Sequence, residues 1–132
     1  MTNAIISETT QKSRKEYTCR ECCQPIKRGS EYLRLVQKWE GEIVTDRSHV
    51  DCTKFAHELC GSYRELIETW EGRDWLWDAM AEGHDRMWEI LHLSKKHPDV
   101  RKRLVQTMWS ARQRSNEVYA ALQAARTQRT NP

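Results

Sequence analysis

The chain has 132 residues, 38% hydrophobic and 31% charged, with a net charge of +3. This composition suits one domain with room for a small appended module, and it excludes a chain too polar to fold. No apolar run approaches the ~20 residues of a membrane span, and residues 1–10 lack the basic start and apolar block of a secretory signal.

The modest net charge hides an uneven spread. Residues 1–56 carry +2, residues 57–94 carry −6 and residues 95–132 carry +7. Five cysteines, two of them adjacent, suit a metal site with spare thiols better than a disulfide framework. The expected setting is therefore intracellular: cytoplasmic, or nuclear in a eukaryote.

In chain order, residues 1–16 are polar and aperiodic and read as a flexible arm. A metal module follows over residues 17–56. Pro25 and Gly29 bracket a tight knuckle. Residues 31–38 have strand-like content, Gly41 marks a turn, and Ile43, Val44 and Thr45 can return as a second strand.

Helical periodicity begins at Ser48, with Asp51 three residues on as in a capping box. Phe55, Leu59, Tyr63, Leu66 and Trp70 then recur on one face. Gly72 interrupts this helix, and Asp74 can cap a second one carrying Leu76, Met80, Met87 and Leu91 on a stripe. Gly83 weakens its middle by roughly 1 kcal/mol relative to Ala. His97-Pro98 ends it, and Pro98 suits the first turn of a third helix. There Leu104, Met108, Ala111, Ser115, Val118, Leu122 and Ala125 step by alternating fours and threes, a heptad seam. The expected fold class is α+β: knuckle, β-hairpin and helix, then a helical hairpin over residues 57–129, with about three helices in total.

Cys19-x2-Cys22 and His49-x2-Cys52 form C-x2-C-x26-H-x2-C. Four such ligands complete a tetrahedral site for one zinc ion, and a site with every position filled is structural rather than catalytic. His57 and Cys60 offer a second H-x2-C, but eight residues of helix, roughly 12 Å, separate Cys60 from Cys52. Only one pair can serve the ion, and the start of the helix favours His49 and Cys52. Cys23 lacks the spacing and reads as a free thiol.

Cys19, Cys22, Ile26, Gly29, His49 and Cys52, with a hairpin between the two ligand pairs, resemble treble-clef zinc fingers. Among these the pattern looks most like the finger of poly(ADP-ribose) polymerases and DNA ligases. The likeness covers about residues 17–55. It implies zinc at the four ligands and binding to DNA. Its gap of 26 residues is shorter than that family's, and Thr53 stands where the family has an aromatic residue. HNH nucleases are also similar, but they need a second metal site built from His and Asn. The only asparagines are Asn3, Asn116 and Asn131, none near the finger. The expectation is a non-enzyme.

Lys95, Lys96, Arg101, Lys102 and Arg103 cluster at the start of the third helix. Cations oppose the dipole there and suit a bound anion such as a phosphate backbone. Arg28 and Arg34 add to them, and Trp39 at the hairpin tip could stack on a base. Nucleic acid, DNA above RNA, is thus the first expected partner. The alternative is a protein adaptor or inhibitor acting through the helices, with a homodimer through the third helix.

Overall fold

The computed structural model describes residues 4–60 and 75–130. The chain builds a three-stranded antiparallel sheet, a two-stranded one and four α-helices among these residues. In the larger sheet β4 (Glu31–Trp39) lies between β1 (Ala4–Lys12) and β5 (Glu42–His49). The smaller sheet pairs β2 (Tyr17–Thr18) with β3 (Pro25–Ile26) and frames the knuckle.

Within the stretch expected as a flexible arm, Ala4–Lys12 forms the nine-residue strand β1. The cause is visible in the residues. Ile5, Ile6, Thr9 and Thr10 are β-branched. Half-buried Ile5 packs with Leu35, Trp39 and Trp75. Lys12 pairs with Glu31 and Ala4 with Lys38, so β1 spans almost all of β4.

β4 and β5 are joined by Glu40 (φ 50°) and Gly41 (φ 86°). Two successive left-handed residues are what a tight two-residue hairpin turn requires. β5 runs four residues past Thr45, to His49, and passes directly into α1 (Val50–Cys60). Asp51 Oδ1 accepts the Cys52 N–H at 2.9 Å in the first turn of α1. The continuation of this helix through Tyr63, Leu66 and Trp70, the break at Gly72 and the cap at Asp74 lie outside the described residues.

The expected second helix is two helices. α2 (Leu76–Ala81) and α3 (His84–Leu93) part at Gly83, whose extended backbone stops one helix and starts the next. Among the described residues the α-helices therefore number four, where about three are expected for the chain. A 3-10 turn, Ser94–Lys96, then leads to α4 (Pro98–Thr130). Pro98 opens α4, where its missing N–H costs nothing.

One core unites the metal module and the helices. Ile26, Tyr32 and Phe55 pack in it with Leu76, Met80, Ile90, Val100 and Leu104. α4 joins this core only through its first half. Every described side chain from Arg112 to Thr127 is exposed.

Candidate metal centre

The knuckle is wound tightly enough to aim two sulfurs inward. Cys19 N–H donates to the Gln24 carbonyl at 2.9 Å, and Cys23 N–H to the Cys19 carbonyl at 2.9 Å. Cys23 takes a left-handed φ of 61° to close the turn. Arg20 N–H donates to the Arg47 carbonyl at 2.8 Å, which ties the knuckle to β5. The second pair comes from the junction where that strand becomes α1.

Cys19, Cys22, His49 and Cys52 are all buried, and their ligand atoms lie within 4.8 Å of one another. His49 Nδ1 is 3.4 Å from Cys22 Sγ and 3.7 Å from Cys52 Sγ. A tetrahedral ion with bonds of about 2.0–2.3 Å sets its ligands roughly 3.5–3.8 Å apart, so the spacing fits one ion. His49 Nε2 lies 3.1 Å from the Pro25 carbonyl. A proton on Nε2 donated to that oxygen leaves Nδ1 free as the metal ligand, the usual division of labour for a ligating histidine. The four cysteines whose side chains are described are all unbridged.

The electrostatics call for a cation. Burial raises the cost of charge at Cys19, but hydrogen bonds from Cys22, Cys52 and His49 converge on its sulfur and bring its pKa below the ordinary 9.0. Its thiolate then holds Cys22 up at about 12 and pushes Cys52 upward too. Three thiolates cannot share this space without a compensating cation. With three thiolates and one imidazole, the donor set could hold one soft or borderline divalent ion.

The surrounding shell is as specific as the ligands. Glu21, inside the C-x2-C turn, is fully buried. Its carboxylate accepts the Leu76 N–H at 2.9 Å, and its carbonyl accepts the Trp77 N–H at 2.8 Å. The knuckle thus satisfies two orphan donors at the start of α2. From α4, Thr107 donates its hydroxyl to the Cys22 carbonyl and accepts from Gln24 Nε2 at 2.7 Å. Arg103 Nη1 donates to Asp51 Oδ1 at 2.7 Å and reaches Cys52 Sγ at 3.5 Å. Residues from α2 and α4 therefore close the shell that the knuckle and α1 begin.

The expected contacts for nucleic acid divide into two groups. Lys95, Lys96, Arg101 and Lys102 are exposed at the corner between α3 and α4. Lys95, Arg101 and Lys102 share one groove with Pro98, Val105 and Gln106. Arg28 is exposed beside Gly29 in the turn before β4, and Arg34 is half-buried in β4. Trp39 is half-buried rather than fully presented at the tip, and like Ile5 and Trp75 it packs against Leu35. Arg103 is turned inward to the metal centre and does not belong with the surface cations. Arg20 is likewise engaged, with Asp78 at 3.0 Å and over the Trp75 ring at 5.0 Å.

Sequence reasoning missed Glu21, Arg103 and Thr107 as parts of the centre. The only signal for Glu21 was a charged residue between two ligand cysteines. For Thr107 it was a polar residue on a helix face otherwise occupied by Val100 and Leu104. In comparisons with known proteins, the chain matches no family model, no curated protein and no solved structure. On its own geometry, it is a small α+β protein organised around a buried Cys3His group that could hold one metal ion.

Proposed function

We propose that the chain is a zinc-stabilised, non-catalytic protein of the treble-clef type that binds nucleic acid, DNA above RNA. Zinc is the ion that a fully occupied Cys3His set suits best, and such a closed set leaves no position for an activated water. Its role is to hold the hairpin, α2 and α4 in register.

The observation that carries the binding reading is the groove at the α3–α4 corner. Lys95, Arg101 and Lys102 line it together, and Lys96 stands beside it. These cations repel one another and lie near the start of α4, whose own field is positive. A phosphate backbone relieves both effects. Arg28 offers a further contact from the finger.

The test uses the zinc-loaded full chain and labelled duplex DNA. Affinity should fall steeply between ~50 and ~200 mM salt. Replacing Lys95, Arg101 and Lys102 together with Glu should abolish binding without lowering the unfolding midpoint, since carboxylates suit the start of α4. Arg103 stays intact, because its loss disturbs the metal centre. Failure to bind any DNA or RNA at low salt would refute the reading.

A further inference from the structure

Beyond Ala111, α4 leaves the body of the protein. Nineteen residues of helix remain to Thr130, about 28 Å in length. Val118, Tyr119 and Leu122 on this stretch are 60%, 65% and 59% exposed. They line one shallow groove with Ala111, Arg114 and Ser115. An isolated helix of this length is marginal in water, and its stability ordinarily comes from packing an apolar face. The heptad seam continues unbroken along it while the protein's own core stops at Met108.

The flanks decide what can cover the seam. With Ser115 and Leu122 at the a positions and Val118 at d, Arg112 and Arg126 fall at e and Arg114 at g. From position 100 to position 132, Glu117 is the only acidic side chain. A parallel second copy would set Arg114 opposite Tyr119 and bring no carboxylate to any arginine. An antiparallel copy, in the register that pairs Val118 with Leu122, would bring Arg112 to face Arg126. Like charges across a helix pair oppose association and select against that partner. Nucleic acid would satisfy the arginines but leave Val118 and Leu122 in water. One occupant answers both needs: a helix with an apolar stripe and carboxylates on either side of it.

The geometry points to the C-terminal half of α4 as a docking face for an acidic amphipathic helix of a protein partner. The face is separate from the basic groove at Lys95, Arg101 and Lys102, so it stands whether or not that groove binds nucleic acid. Apolar contacts would supply affinity, and the arginines would fix orientation and exclude basic helices.

The probe is a synthetic helical peptide of about three heptads, with Leu at a and d and Glu at e and g. A twin carries Lys in place of Glu. Fluorescence anisotropy with the zinc-loaded full chain should show binding of the Glu peptide alone. The double variant Val118→Glu/Leu122→Glu should weaken it by about tenfold or more while circular dichroism keeps its helical signal. Arg112→Glu/Arg114→Glu should transfer the preference to the Lys peptide. Several results would overturn the proposal: binding of neither peptide, or equal binding of both. Sedimentation as a dimer that Val118→Glu/Leu122→Glu dissolves would make a second copy the occupant. Competition between the Glu peptide and duplex DNA, with both lost in the same double variant, would assign the face to nucleic acid.

Discussion

Arg103 Nη1 lies 3.5 Å from Cys52 Sγ, although 51 residues separate the two in the chain. The same nitrogen donates to Asp51 Oδ1 at 2.7 Å. Burial works against the guanidinium's charge, but the hydrogen bond to Asp51 and the field of Cys52 outweigh it and push its pKa up. A cation that sequence pattern groups with a surface cluster thus serves the metal centre. A divalent ion held by three thiolates and a neutral imidazole would carry a net charge of −1, which Arg103 would offset.

Replacing Arg103 with Ala should therefore destabilise the fold by about 1.5–3 kcal/mol, the range for hydrogen bonds to charged groups. Zinc should also pass to a competing chelator faster. Arg103→Lys keeps the charge but not the fork, and should recover only part of the loss. Urea unfolding and chelator-transfer kinetics read the two effects. Unchanged stability in both variants would remove Arg103 from the centre.

Glu21 makes a second link that can be tested alone. Glu21→Ala strips the Leu76 N–H of its acceptor in a buried place, at a cost of about 1–3 kcal/mol. Glu21→Gln keeps an amide oxygen there and should cost less. Hydrogen exchange at the Leu76 amide should quicken in the Ala variant and stay slower in the Gln variant. Equal exchange rates in all three proteins would show that the carboxylate does not hold α2.

Metal loading should change how stability depends on pH. In the metal-free chain Cys22 is held up at about 12 against an ordinary 9.0, and Cys52 is raised too. A raised folded-state pKa gives stability that is complete below the unfolded value and lost as pH climbs through the folded one. The metal-free chain should lose this contribution between about pH 9 and pH 12. Cys19, with its lowered pKa, acts in the opposite sense, and its contribution fades as pH falls below 9. Once zinc is bound the thiols have already lost their protons, so the alkaline loss should vanish. Acidification should instead weaken the loaded protein by expelling the ion. Denaturant midpoints of loaded and metal-free chain, taken along both limbs, check the sign; one common curve would show that the four residues hold no ion.

The first strand offers a simpler test. Removing residues 1–12 would leave a flexible arm's host unaffected, but here it uncovers β4 and the cluster of Leu35, Trp39 and Trp75. A lowered melting temperature and brighter binding of a hydrophobic dye are expected. Ile5→Ala should cost about 1–2 kcal/mol, toward the low end for core truncations because Ile5 is only half-buried.

The candidate metal ligands were legible because their spacing is local: three residues from Cys19 to Cys22, and three from His49 to Cys52. Gly41 announced its turn, and Pro98 the start of α4. The pairing of Ala4–Lys12 was not legible, since Glu8, Gln11 and Lys12 dilute a strand that packs through Ile5. The break at Gly83 read as a weak point because propensity registers the cost of a glycine but not whether the chain stops there. The roles of Glu21, Arg103 and Thr107 depend on long-range docking that no spacing records. Arg103 and Lys102 are neighbours in sequence, yet one faces Cys52 and the other faces solvent.

All four ligands are encoded by position 52, long before Arg103 and Thr107. A chain growing from its N-terminus can therefore close its metal loop while half its length is still to come. The Cys22 carbonyl and Cys52 sulfur then stand ready as a template on which α4 sets its rotation and register. An ion bound at that stage would precede the long helix, and the direction of synthesis would then order assembly.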